Sequence, residues 1–159
     1  LNDLPIEWHY IGRIQGNKTR DIARHFTWVH GLDSLKHAQQ LNKYRGEDRP
    51  PLNCCIQVNL SGEHSKGGIE ADLLPELALA VSRLPHLELR GLMTMPDPTS
   101  DRDAQAAVFS RLAASFDRLR AQGLPLDTLS MGMSGDLELA IAAGSTMVRI
   151  GTDIFGPRN

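Results

Sequence analysis

Strand-like and helix-like segments alternate along this chain, and that alternation limits the fold more than any single residue does. Six β-like runs are read at 7–12, 28–32, 54–60, 87–95, 126–133 and 146–155. Between them lie five segments of helical period. The first covers 17–26, with Ile22, Ala23 and Phe26 on one face. The second is capped by Asp33 or Ser34 and carries Leu35, Ala38 and Leu41. The third covers 70–84, with Leu73, Leu77, Val81 and Leu84 in one stripe and Pro75 tolerable only in the first turn. The fourth covers 101–122, with Val108, Leu112, Phe116 and Leu119 inward and Gly123 as its stop. The fifth covers 135–143, with Ser134 as its cap and Gly144 at its end.

Repeated βα units imply parallel strands joined by right-handed crossovers. Two α/β architectures satisfy this, a doubly wound open sheet and a TIM-type (β/α)8 barrel. On spacing alone the two stand level, although no GxGxxG follows a strand. Six units are two fewer than a closed barrel needs, and a parallel barrel missing two strands bares two edges. The expectation is a single domain over 1–159 that holds roughly the last six units of a barrel, with the first two upstream of Leu1.

Composition narrows the function classes. A net charge of −2 argues against binding driven by nucleic-acid phosphates, and no apolar run approaches the roughly 18–20 residues of a membrane span. No secretory leader is legible. Cys54 and Cys55 are adjacent, so their side chains leave a strand on opposite faces and do not pair, and no zinc spacing is present. Both read as buried residues of a cytoplasmic protein.

The chemistry concentrates near the C-terminus. Met133-Ser134-Gly135-Asp136 joins a strand to a helix, where a hydroxyl and free N–H groups suit an anion; Asp136 opposes one unless its side chain turns away. Arg149-Ile150-Gly151-Thr152 adds backbone donors and a second hydroxyl at the end of the last strand. Arg149 alternates with Val148 and Ile150, and a cation in such a strand needs a ligand or an acidic partner. His9 alternates with Trp8 and Tyr10 and reads locally as a structural histidine. Met93 and Met95 stand near the same end, as core filling or pocket wall. The polar loop after the third strand carries His64, Ser65 and Lys66, the last a free amine at the ligand-bearing end. Residues alone indicate a small phosphate-bearing ligand at the end of a barrel.

Four strings in this chain carry a resemblance. WHYIGRIQGNK (8–18), IQVNLSGEHSKGGI (56–69), RGLMTMP (90–96) and LSMGMSGDLELAIAAGSTMVRIGTDIFGPR (129–158) resemble, in order, blocks of the pyridoxal-phosphate homeostasis proteins of the YggS/PROSC type. The resemblance implies a barrel related to the N-terminal domain of alanine racemase. It implies pyridoxal 5′-phosphate, held as a Schiff base on a lysine, with Ser134, Gly151 and Thr152 at the phosphate and Arg149 at the pyridine nitrogen. His9 and Met93 complete the candidate cofactor contacts. It further implies a monomeric, non-catalytic manager of cofactor supply, with enzymes that use the cofactor as recipients. A racemase-like enzyme is the alternative.

The chain departs from the family pattern at Arg13 and Gly16. It also lacks the first-strand VSKxxP-like motif that bears the family's lysine; its lysines, Lys18, Lys36, Lys43 and Lys66, stand in other contexts.

Overall fold

A computed structural model describes residues 4–60, 67–96 and 101–156. The strands are β1 (His9–Tyr10), β2 (Trp28–Leu32), β3 (Leu52–Asn59), β4 (Ile69–Glu70), β5 (Leu87–Met93), β6 (Thr128–Met133) and β7 (Met147–Arg149). The helices are α1 (Thr19–His25), α2 (Leu35–Arg45), α3 (Leu74–Val81), α4 (Arg102–Ala121), α5 (Leu137–Ala142) and α6 (Thr152–Phe155).

Every strand pair is parallel, and the strands run β1-β2-β3-β5-β6-β7 in chain order, with the short β4 paired to β3 beside them. A doubly wound sheet reverses its strand order at a switch point. This order never reverses, so the sheet is an arc of a TIM-type barrel, which settles the choice the spacing left open.

The two faces of the sheet bury different things. The outer face meets the helices in one apolar core, which includes Val29, Cys54, Ile56 and Leu92 from strands and Leu41, Leu77, Phe109 and Leu112 from helices. The inner face carries Trp28, Cys55 and Met93, with Met95 and Met147 packed against them. Adjacent Cys54 and Cys55 thus enter opposite layers, and both are free thiols. β3 and β5 slip at this point: Cys54 pairs with Leu89 and Cys55 with Gly91, so Arg90 is skipped. Gly91 is required there, because a Cβ on it would lie 1.7 Å from the Thr128 carbonyl oxygen.

Local signals explain most boundaries. Ser34 caps α2 by accepting the His37 N–H, and Asp101 caps α4 by accepting those of Asp103 and Ala104. Pro75 lies in the first turn of α3. The third helix is shorter than its expected 70–84, because Ala71–Leu73 winds as a 3-10 turn first. On α4 the fully buried aromatic is Phe109, whereas Val108 is half-buried.

Two expectations near the C-terminus are corrected. The final strand ends at Arg149 instead of continuing to 155. Gly151 leaves the extended region (φ −120°, ψ −74°), and the N–H groups of Ile154 and Phe155 both return to its carbonyl, which winds α6. Ser134 does not cap α5. The turn from β6 closes through the Asp136 N–H donating to the Met133 carbonyl at 3.0 Å and the Met133 N–H donating to Asp136 Oδ1 at 2.6 Å. The helix therefore starts later, at Leu137.

Candidate functional site

The C-terminal ends of the strands surround a cavity of about 630 Å³, whose wall includes His9, His30, Met95, Met133, Arg149 and Gly151. A cavity at this end of a TIM-type barrel is where such folds place ligands.

Arg149 sets its chemistry. One terminal nitrogen donates to Ser130 Oγ at 2.7 Å and the other to the Thr94 carbonyl at 2.9 Å. The third nitrogen, Nε, is buried with no hydrogen-bond partner. No carboxylate among the described residues pairs with this guanidinium. Burial lowers its pKa, and the field of Asp136 partly offsets that. The internal salt bridge that would have made Arg149 a purely structural residue is absent among the described residues, and one donor is left over.

Ser130 Oγ also lies 2.8 Å from His30 Nδ1, and His30 Nε2 lies 2.9 Å from His9 Nδ1. His30 is fully buried. Burial, then His9, then Arg149 push its pKa down to about 4. His9 stacks on Trp28, the ring planes 6° apart. Its Nε2 faces Glu7 Oε2 at 3.7 Å, while Glu7 Oε1 accepts from Trp28 Nε1 at 3.1 Å.

The structure brings Arg149, Gly151 and His9 to the cavity wall. Ser134 and Thr152 adjoin it: Ser134 Oγ accepts the Asp153 N–H at 3.4 Å, which ties the β6–α5 turn to the first turn of α6. Met93 is fully buried in the inner layer, and it is Met95 that reaches the wall. Asp136 is turned from the cavity as an anion site requires, its Oδ2 accepting from Gln105 Nε2 at 2.9 Å. Lys18, Lys36 and Lys43 do not line the cavity. His64, Ser65 and Lys66 lie outside the described residues. Ser130 and His30 were not legible as site residues. Each alternates with apolar neighbours, a pattern that shows an inward face and not the partner opposite. Arg90, in the string RGLMTMP, serves the other end of the interior: it lies over the Trp28 ring at 5.0 Å and donates through Nε to both Asp127 oxygens at 3.0 and 3.1 Å.

The alanine racemase N-terminal domain model matches residues 5–159. The pyridoxal phosphate homeostasis protein of Pseudomonas aeruginosa is 58% identical over 159 residues, all of this chain and 68% of that protein. The chain belongs to the pyridoxal phosphate homeostasis protein family. The family member of Escherichia coli K12 is 53% identical, with 97% of this chain and 66% of that protein aligned. The chain thus spans about two thirds of the length of these family members. Among solved structures, PipY of Synechococcus elongatus PCC7942 with PLP bound superposes with a TM-score of 0.90 at 35% identity, covering 98% of this chain and 73% of that one. An alanine racemase of Clostridium difficile superposes at 0.78 with 15% identity, a likeness of fold.

Proposed function

We propose that this chain, as a single domain, binds pyridoxal 5′-phosphate reversibly and serves as a carrier or buffer of the cofactor without catalysing its chemistry. The observation that carries the reading is the unpartnered Nε of Arg149, a buried donor on a guanidinium otherwise pinned in place beside the cavity. An acceptor without a proton, such as the nitrogen of a neutral pyridine ring, satisfies it. The phosphate end fits as well. A Cβ at Gly135 or Gly151 would meet nothing within 4 Å, so an anion has open access to the backbone there. In this reading Ser134, Gly151 and Thr152 hold the phosphate, Arg149 meets the ring nitrogen, His9 flanks the ring and Met93 supports it from beneath. No described lysine stands on the cavity wall, so binding by these residues is non-covalent.

When bound, the cofactor supplies an aldehyde and an electron-accepting ring. Arg149 would keep that ring nitrogen unprotonated, which weakens the ring as an electron sink. This suits storage better than turnover. The non-catalytic part of the proposal rests on the relatives' name, which describes homeostasis of a cofactor and not a reaction. We further place the chain in the cytoplasm, as a monomer that delivers to apoenzymes. Two free buried thiols accord with a reducing compartment, and among the described residues no helix is long and apolar enough to cross a membrane.

Titration with pyridoxal 5′-phosphate tests the reading, with inorganic phosphate as competitor and borohydride reduction followed by intact mass. Saturable binding is expected, displaced by phosphate and weakened about ten-fold or more by Arg149→Ala. No saturable binding, or binding indifferent to both, overturns the reading. Formation of D-alanine from L-alanine by the loaded chain overturns its non-catalytic part.

A further inference from the structure

We propose that Ser130 and His30 are positioning residues for Arg149, joined in a one-way chain of hydrogen-bond donors that runs Arg149 → Ser130 → His30 → His9 and ends facing Glu7. The inference rests on the proposed binding of pyridoxal phosphate and deepens it.

The direction follows from proton bookkeeping. A guanidinium can only donate, so Ser130 Oγ accepts from Arg149 at 2.7 Å. The hydroxyl proton of Ser130 is then available to His30 Nδ1, 2.8 Å away. With Nδ1 accepting, neutral His30 carries its proton on Nε2 and donates it to His9 Nδ1 at 2.9 Å. His9 in turn carries its proton on Nε2, towards the Glu7 carboxylate at 3.7 Å.

The reverse direction fails at both ends. His30 Nδ1–H would make Ser130 Oγ accept twice and leave the hydroxyl proton without one of these partners. A neutral His9 would then turn an unprotonated Nε2 at a carboxylate, acceptor against acceptor. With both imidazoles neutral, only one direction gives each proton an acceptor and runs from a permanent cation to an anion. The depressed pKa of His30 agrees, since the chain needs that imidazole neutral.

The consequence concerns aim. Ser130 and the Thr94 carbonyl fix the two terminal nitrogens and with them the guanidinium plane, so Nε is the donor left for the ring nitrogen. Ser130 is held by His30, and the imidazole of His9 at the far end is clamped by its stack on Trp28. Neither Ser130 nor His30 needs to touch the ligand to orient the group that does.

The test has two arms on the full chain. Nitrogen-15 spectra of the ligand-free protein report the imidazole tautomers. The Nε2–H form is expected for both His30 and His9, and the Nδ1–H form in either overturns the direction. The second arm compares pyridoxal 5′-phosphate with its 1-deaza analogue, in which a C–H replaces the ring nitrogen. Wild type is expected to prefer the pyridine by about ten-fold. Ser130→Ala is expected to erase most of that preference with phosphate inhibition unchanged, and Ser130→Thr to restore it. Full discrimination in Ser130→Ala overturns the positioning role. If wild type binds pyridoxal phosphate without preferring the pyridine, the positioning role falls and the binding reading stands. If wild type binds neither compound, both fall, and the spectra still decide the proton direction.

Discussion

Gln105 holds Asp136 from across the helix layer: its Nε2 donates to Asp136 Oδ2 at 2.9 Å, while Oδ1 accepts the Met133 N–H at 2.6 Å. One oxygen of the carboxylate therefore closes the β6–α5 turn and the other ties that turn to α4, so both are engaged away from the anion site. Asp136→Ala leaves a backbone donor and a largely buried amide unpaired. A loss of about 1–3 kcal/mol in urea unfolding is expected. A double-mutant cycle with Gln105→Leu should show a coupling of about 1 kcal/mol, and simple additivity would separate the two residues.

Glycines at the two ends of the interior should answer substitution in opposite ways. At Gly151 a Cβ meets nothing within 4 Å, whereas at Gly91 it lies 1.7 Å from a carbonyl oxygen. Gly151→Ala is expected to leave stability within about 0.5 kcal/mol of wild type while weakening ligand binding several-fold. Gly91→Ala should destabilise by more than about 3 kcal/mol or prevent folding. Thermal melts with and without pyridoxal 5′-phosphate distinguish the cases.

Acid should act through His30, whose pKa falls from 6.5 to about 4 in the fold. The groups that face it are Ser130, His9 and Arg149, with Glu7 beyond His9. Between pH 6.5 and about 4 the unfolded chain binds a proton at this position that the native state refuses, so stability falls as the pH falls. The full contribution is on the order of 3–4 kcal/mol at most. Urea unfolding at pH 7 and pH 4.5 should therefore show wild type losing more stability than His30→Gln. Equal losses would remove His30 from the account.

The two thiols should be silent in the native state. Both are fully buried; burial raises the Cys54 pKa to about 12 and pushes Cys55 higher still. A disulfide reagent at pH 8 is expected to label neither until the chain unfolds, so the labelling rate measures opening. Fast stoichiometric labelling of native protein would contradict this packing.

Residue patterns carried the architecture further than the site. The alternation of periods marked nearly every strand and helix, and Ser34, Pro75 and Gly123 act where local chemistry places them. Strand order was not legible, because spacing is blind to which strands pair; the choice between arc and doubly wound sheet had to wait for it. The run Ile150–Phe155 misled because Ile, Thr and Phe favour strands, and a backbone turn at Gly151 overrides that preference. Arg149 stood out because one cation among apolar strand residues requires an explanation. Ser130 and His30 did not, being ordinary alone and informative only once β2 and β6 face each other, 100 residues apart in sequence.

The sheet grows in the order in which the chain is written, β1 to β7 with no reversal. Each new strand finds its docking edge on the one already laid down, save that β5 passes over the short β4 to pair with β3. A polypeptide emerging from the ribosome can therefore be wound on progressively, without waiting for a distant partner to be made. The polar path from Arg149 to His9 runs against this grain, since it joins β7 to β1 and closes only when β7 docks. In the proposed reading, the site is therefore complete only once β7 has docked, and a chain stopped short of β7 lacks the guanidinium that would meet the ring nitrogen.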